Sequence, residues 1–169
     1  MCNDASAACS AELIFGTAVK PRDFLYVYIG YFIGGGLVLD NTLHLGRSGN
    51  AAALASMPVQ ATSGEMCSLV DLASLAGLED QLRAASDAKH STWDRTGNWE
   101  FPPEPLHAWL DQAAHGIAQA VIASVCVVDC ETVLIDGSMP DAVRAALVAR
   151  IEREVARLGT PGVSAPSIQ

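Results

Sequence analysis

The stretch from residue 24 to residue 39 constrains the fold most, because no charged side chain occurs in it and residues 34–36 are consecutive glycines. Aromatic and β-branched residues fill its first part, which is typical of a buried strand. The run is short for a membrane-spanning helix, and the glycines interrupt it. We therefore expect an antiparallel meander of three strands, at residues 24–29, 32–39 and 43–45.

Helical signals precede and follow the predicted meander. The alanine-rich opening segment has Asn3 or Asp4 at the N-cap position and Gly16 just past its end, which predicts one short helix. No clear period occurs over residues 46–64. Leucines then recur at helical spacing and predict a second helix over residues 68–86.

The second half of the chain predicts two helices around a strand. Pro105 suits the first turn of a long, buried helix that ends near Val128. A short strand at residues 132–135 and a turn at residues 136–138 follow. Pro140 then begins a last helix, which Gly159 ends. Its apolar stripe consists of Val143, Leu147, Ile151, Val155 and Leu158. This order predicts an α/β fold whose antiparallel meander is extended by a parallel strand and flanked by helices.

Charge and cysteine usage exclude some classes of protein. The net charge is −9 and no stretch gathers four basic residues, so we expect no DNA binding by this chain itself. The five cysteines are odd in number and lack CxxC spacing, so we interpret them as small buried residues of a reducing compartment. No basic segment leads into an apolar one at the N-terminus. We expect a cytoplasmic protein without membrane contact.

Four segments carry a family resemblance, and they occur in the family's order. The first, at residues 3–8, reads Asn-Asp-Ala-Ser-Ala-Ala. The second, at residues 28–40, contains the glycine triplet, and the third, at residues 46–51, continues it. The last, at residues 134–140, reads Leu-Ile-Asp-Gly-Ser-Met-Pro. They resemble the NDANAA helix, the second phosphate hairpin and the IGG…P turn of the ROK family. This family comprises sugar kinases and sugar-sensing repressors. The resemblance implies the second domain of the actin-like ATPase (ribonuclease H-like) fold.

The resemblance also implies a domain organisation. Residues 1–16 would form the interdomain helix of the catalytic type, and residues 22–169 the C-terminal actin-like domain. Family members begin with a DxGxT loop on a first domain, and the repressors add a helix-turn-helix. Residues 166–168 resemble the start of the last strand. We therefore expect a chain truncated at both ends, with DNA contact only through a domain that it lacks.

Site residues follow from the same resemblance. In the kinases the aspartate at the position of Asp4 is the general base, and the preceding asparagine, here Asn3, contacts sugar hydroxyls. Asn50 is expected to bind the sugar as well. The sequence pattern alone leaves open that Asp4 is only a helix N-cap.

Phosphate and nucleotide contacts are assigned to two glycine-containing turns. Gly34, Gly35 and Gly36 belong to the segment that resembles the phosphate hairpin, and Asp136 with Gly137 to the turn near the adenosine. Glycines let backbone amides approach phosphate oxygens. A tight hairpin in a well-packed sheet is the alternative interpretation of the glycine triplet.

Several family residues are replaced. The GTG of the phosphate hairpin reads Gly-Tyr-Phe at residues 30–32, and Ala53 and Ser56 stand where the family has a sugar-binding Glu and a zinc-binding His. Of the zinc cysteines only Cys67 is left, so we expect no zinc. The four histidines (His44, His90, His107, His115) and three tryptophans (Trp93, Trp99, Trp109) are interpreted as surface or core residues.

These losses favour one function over another. We expect the effector-binding and oligomerisation part of a sugar-responsive transcriptional regulator, with a small sugar and further copies of the chain as partners and no bound cofactor. The alternative is the C-terminal part of a hexose kinase that uses ATP and Mg²⁺. In either case we expect no turnover by this chain alone, and the shared fold does not settle the choice.

Overall fold

The computed structural model describes residues 4–16, 21–85, 91–92 and 99–169. In chain order the elements are α1 (Asp4–Phe15), β1 (Phe24–Ile29), β2 (Ile33–Leu39), β3 (Thr42–His44), a 3₁₀ turn (Leu54–Ser56), β4 (Pro58–Gln60), β5 (Met66–Ser68), α2 (Leu69–Ala73), α3 (Leu75–Ala85), α4 (Pro103–Val128), β6 (Thr132–Gly137), α5 (Asp141–Leu158) and β7 (Ser167–Ile168).

Five strands form one mixed sheet in the order β3-β2-β1-β6-β7. The three strands of the meander are antiparallel, and β6 lies parallel to β1 with Phe24 opposite Thr132. The turn between β2 and β3 has positive φ at Asp40 and Asn41, as a two-residue hairpin turn requires. The predicted α/β class and the parallel extension of the meander are confirmed, and β7 adds a second parallel strand.

Side chains of β1 alternate between the two faces of the sheet. Leu25 and Val27 join the larger core, which α2, α3, α4 and α5 cover. Phe24 and Tyr26 lie on the other face, in a smaller core with Cys9 of α1. Helices therefore cover both faces of the central strand, which explains why its sequence is apolar throughout.

The helix predicted over residues 68–86 is wrong in one respect, because it is two helices. Ser74 separates α2 from α3 with extended backbone angles (φ −95°, ψ 149°). Its Oγ accepts a hydrogen bond from the backbone N–H of Gly77 (3.1 Å), and its carbonyl accepts one from Trp109 Nε1 (3.0 Å). The leucine spacing continues across the break, so periodicity alone does not reveal it.

α4 begins two residues before the predicted Pro105 and ends as predicted at Val128. Within the described residues it is the one helix whose length and hydropathy satisfy the criterion for crossing a membrane. A buried core helix satisfies the same criterion, and Trp109, Ala113, Ile117 and Val121 are almost completely buried in the larger core.

Other local expectations need correction. Residues 46–64, which show no clear period, contribute the 3₁₀ turn and strand β4, which pairs with β5 in a separate two-stranded sheet. The predicted turn at Asp136 and Gly137 belongs to the end of β6. Leu158 of the α5 stripe is 39% exposed, and Cys126 is exposed rather than buried.

Candidate functional site

A cleft of about 540 Å³ opens where the start of α1 meets the turn between β1 and β2. Residues from four parts of the chain line it: Asp4, Ala5, Tyr28, Gly30, Tyr31, Phe32, Ile33, Gly34, Gly35, Ala52, Ala53, Leu54, Ala55 and Ser138. The structure thus brings together Asp4 and two of the three triplet glycines. The volume suits a small-molecule ligand.

Asp4 is the first residue of α1 and is exposed at the cleft. Asp4 therefore lies inside the helix rather than at its N-cap, and Asn3, the other N-cap candidate, is outside the described residues. No hydrogen bond or ion pair joins the Asp4 carboxylate to any other residue that the structure describes, so the group is available to a ligand.

The glycine triplet provides space for packing on both faces of β2. A Cβ on Gly34 would lie 2.7 Å from Ala5 Cβ, and one on Gly36 would lie 2.6 Å from Cys9 Sγ, both in α1. On the opposite face, a Cβ on Gly35 would lie 2.7 Å from Leu54 Cδ1. The close approach of α1 and the 3₁₀ turn therefore accounts for all three glycines without a phosphate. Their contact with a nucleotide stays a prediction.

Hydrogen bonds from the start of α3 hold the turn between β1 and β2 in place. The carbonyls of Gly30 and Tyr31 accept hydrogen bonds from the first two N–H groups of α3 (both 3.1 Å), and Phe32 O accepts one from Gly30 N (2.9 Å). The Tyr31 and Phe32 side chains are 48% and 64% exposed. Their rings meet edge to face, with centroids 5.2 Å apart. Two aromatic rings therefore line the cleft where the family hairpin has a small hydroxyl and a glycine.

Asp136 lies outside this cleft, and both oxygens of its carboxylate accept hydrogen bonds within the chain. Oδ2 accepts a hydrogen bond from the Tyr26 hydroxyl (2.6 Å), while Oδ1 accepts from Gly137 N–H (2.7 Å) and Arg144 Nη1 (3.1 Å). Burial, reinforced by the hydrogen bond to Asp136, raises the pKa of Tyr26 well above its usual range. Asp136 therefore fixes the end of β6.

Gly137 is required by a close backbone approach, because a Cβ there would collide with the carbonyl of Ile29. The next residue, Ser138, donates its N–H to that carbonyl (2.8 Å). Neither Asp136 nor Gly137 lines the Asp4 cleft. Their predicted contact with a nucleotide is untested, and the geometry explains both residues through the local fold.

The segment that resembles the sugar-binding motif gives the cleft an apolar wall. Ala52, Ala53, Leu54 and Ala55 line it, so a methyl group stands where the family has a glutamate. Asn50 is exposed, does not line the cleft, and donates to Ser48 Oγ (3.5 Å). Among the described residues, no three His, Cys, Asp or Glu side chains are close enough to hold a metal ion.

A pair of hydroxyl groups that line the cleft was not predicted from the sequence. The hydroxyl oxygens of Tyr28 and Ser138 lie 3.0 Å apart. The register places Tyr28 opposite Asp136 in the parallel strand β6, so the pairing of β1 with β6 brings the two hydroxyls together. Both residues belong to segments that carry the family resemblance, but the sequence assigns neither of them a role, and only strand pairing reveals their contact.

Comparison with known proteins identifies one family over most of the chain. The model of the ROK family matches residues 1–166. The bifunctional enzyme NanE/NanK of Brucella melitensis biotype 1 is 33% identical over 139 residues, which cover 81% of this chain and 26% of that protein.

Two solved structures share the fold. The ROK family glucokinase from Streptomyces griseus, in complex with glucose and AMPPNP, superposes with a TM-score of 0.73 at 18% identity, covering 99% of this chain and 61% of that one. A ROK family transcriptional regulator, a homologue of the E. coli MLC protein, gives 0.71 at 22% identity, covering 95% and 44%. The chain therefore spans about a quarter of the curated relative and roughly half of each solved structure.

Proposed function

The chain belongs to the ROK family, and on that premise we propose that it forms the sugar-binding half of a ligand cleft in a sugar-responsive transcriptional regulator. The observation that carries the proposal is the combination of an unengaged Asp4 carboxylate with aromatic rings at the hairpin turn of the same cleft. The carboxylate suits a sugar, whereas the rings do not suit a phosphate group.

Carbohydrate binding is supported by the chemistry of the cleft. A carboxylate accepts hydrogen bonds from neighbouring hydroxyls, and an ionised acceptor makes stronger bonds than a neutral one. The hydroxyls of Tyr28 and Ser138 offer further polar contacts, and the rings of Tyr31 and Phe32 offer apolar surface for a sugar ring. Asn3 is proposed to assist Asp4, as the family resemblance implies.

The absence of phosphoryl transfer is supported by what surrounds the hairpin. Phosphoryl transfer depends on donors placed around the phosphates and on a bridging metal ion. At the turn the backbone N–H of Gly30 already donates to the carbonyl of Phe32, and two exposed aromatic rings project beside it. A regulator keeps a ligand-binding cleft and has no need of these donors.

A sugar kinase is the second candidate, because the general-base position is intact. Asp4 is retained at the start of α1, and the chain is 33% identical to part of a bifunctional NanE/NanK enzyme. In that case Asp4 would accept the proton of a sugar hydroxyl, and a more complete cleft would bind ATP and Mg²⁺. The proposal also includes a cytoplasmic location, a homo-oligomeric state and no zinc.

A phosphoryl-transfer assay separates the two candidates. The chain, and the whole product of its gene, are incubated with ATP, Mg²⁺ and a panel of hexoses, pentoses and N-acetylhexosamines, and release of ADP is measured. Asp4→Asn, which keeps the side-chain shape but cannot accept the proton, is the matched variant. We expect no sugar-dependent ADP release from either protein. Release that Asp4→Asn abolishes would establish the kinase instead.

A further inference from the structure

A second cavity, also of about 540 Å³, lies between the β4–β5 hairpin and the helices α4 and α5. None of its lining residues lines the Asp4 cleft. Its wall carries three arginines (Arg150, Arg153 and Arg157), although the whole chain has only ten lysines and arginines and a net charge of −9. We call this cavity the arginine pocket.

The arginines share one face of α5, since positions three and seven residues apart lie on the same side of a helix. Two of them are paired with carboxylates. Arg150 Nε lies 2.7 Å from Asp111 Oδ1, and Arg157 Nη2 lies 2.8 Å from Glu154 Oε2. Each pair is electrically neutral and fixes its guanidinium at the wall.

Arg153 differs from its two neighbours. Its Nε donates to the carbonyl of Ala149 within α5 (3.2 Å), and no carboxylate pairs with it in the part of the chain that the structure describes. The two terminal nitrogens of its guanidinium therefore have N–H groups left for a ligand. With both ion pairs neutral, Arg153 supplies the net positive charge of the pocket.

Glu154, His115 and Arg157 form a network of polar contacts in the wall of the arginine pocket. Glu154 Oε2 lies 3.1 Å from His115 Nδ1 of α4 as well as beside Arg157. The hydrogen bonds from Arg157 and then His115 hold the pKa of Glu154 at about 2. The ionised carboxylate thus positions a guanidinium and an imidazole before any ligand arrives, which lowers the entropic cost of binding.

The opposite wall comes from the end of β4 and the turn that follows it, and the end of β4 is tied to α4. The backbone N–H of Gln60 donates to Gln119 Oε1 (2.9 Å), and Gln119 Nε2 donates to the carbonyl of Gln60 (2.8 Å). Thr62 of this turn also lines the pocket and brings a hydroxyl. Both walls are therefore fixed, with donors on each.

We propose that the arginine pocket binds a small oxyanion of the phosphate class, free or as the phosphate of a small ester, with Arg153 as the principal contact. The planar guanidinium matches the oxygens of phosphate with two parallel hydrogen bonds. The volume has room for an organic group beyond the phosphate itself. This site is independent of the sugar cleft and of the function proposed for it.

Calorimetric titration at constant ionic strength tests the proposal, with inorganic phosphate, a hexose 6-phosphate and the unmodified hexose as probes. We expect both phosphates to bind, and we expect Arg153→Gln to weaken both by about ten-fold, the loss typical of a charge-assisted hydrogen bond. Arg47→Gln is the matched control, because Arg47 is exposed, lies outside the pocket and removes the same charge. Tighter binding of the ester than of inorganic phosphate identifies an ester as the ligand, and equal binding identifies free phosphate.

Two results would overturn the proposal. One is the absence of phosphate binding by the unaltered chain. The other is equal weakening by Arg153→Gln and Arg47→Gln, because general charge attraction would then explain the binding. Arg153 is exposed on α5, so its replacement leaves the core intact, and circular dichroism of each variant verifies this.

Discussion

At the scale of single residues, the glycine triplet shows how one sequence feature serves two interpretations. Glycines next to a predicted hairpin indicate either phosphate contact or tight packing, and the sequence does not distinguish them. In the structure, Ala5 and Cys9 of α1 occupy the space beside Gly34 and Gly36. The packing interpretation is therefore sufficient for both.

Replacement of Gly36 by alanine tests this role in packing. Its new Cβ would lie 2.5 Å from Cys9 Cβ in a fully buried contact, so α1 has to shift. We expect Gly36→Ala to lower the free energy of unfolding by about 1–3 kcal/mol, as overpacking of a core does. Urea denaturation followed by circular dichroism measures the change.

Gly77→Ala is the matched control for that experiment. Gly77 lies inside α3, and a Cβ there would be 3.4 Å from Ser74 Oγ, an ordinary contact. Alanine also favours a helix, so we expect an unchanged or slightly higher stability, by up to about 1 kcal/mol. Equal destabilisation by both variants would show that the space beside Gly36 is not critical.

At the scale of elements, local sequence signals predicted the limits of β1 better than the break between α2 and α3 or the short strands β4 and β5. β1 has the predicted limits because its aromatic and β-branched run ends at Gly30. The break between α2 and α3 went undetected, since it depends on the Ser74 side chain and on Trp109, 35 residues further on. The β4–β5 hairpin was missed because each strand has only three residues and shows no period.

The contact between α4 and α5 predicts a pH dependence of stability. Glu154 has a pKa of about 2 in the folded chain, below its ordinary value of 4.5, because Arg157 and His115 stabilise the carboxylate. A lowered folded-state pKa contributes stability above the unfolded-state pKa, and this contribution is lost as the pH falls from about 4.5 toward 2. The side chain is 26% exposed, so we expect a contribution on the order of 1–2 kcal/mol.

Urea denaturation at several pH values measures that contribution. Glu154→Gln should lower the stability at neutral pH and flatten its decline between pH 5 and pH 2, a window set by the ordinary and lowered pKa values. Glu152→Gln, an exposed neighbour on α5 without an ion pair in the described chain, should leave the decline unchanged. The same flattening in both variants would contradict the assignment to Glu154.

At the scale of the whole molecule, the sequence predicted the fold well and the site only in part. The order of strands and helices predicts a mixed sheet, and the strand pairing confirms it. Asp4 and the hairpin turn line the same cleft, whereas Asn50 lies outside it and the Asp136 carboxylate is bonded at the end of β6. Motif spacing does not report these placements, because they depend on side-chain packing.

Exposed apolar side chains at the end of α1 predict self-association. Ile14 and Phe15 are 64% and 78% exposed, and Phe15 also lines a depression together with Ala8 and Ala11. Large exposed apolar side chains next to each other are typical of interfaces. We expect sedimentation analysis to show dimers or larger species, with the joint replacement Ile14→Ser and Phe15→Ser shifting the chain toward the monomer.

The matched control uses two apolar residues of similar exposure elsewhere in the chain. Met66 and Val127 are 62% and 85% exposed, in β5 and at the end of α4. Met66→Ser with Val127→Ser should leave the association unchanged. A monomeric unaltered chain at high concentration would contradict the expected self-association.

The central claim is that the cleft beside Asp4 binds a sugar, and nuclear magnetic resonance of the isotope-labelled chain, titrated with monosaccharides, tests it most directly. We predict that one sugar shifts the amide signals of cleft residues such as Ala5, Gly34 and Ala53, and that Asp4→Asn weakens this binding by about ten-fold. Shifts confined to other parts of the chain, or no shifts with any sugar, would contradict the claim.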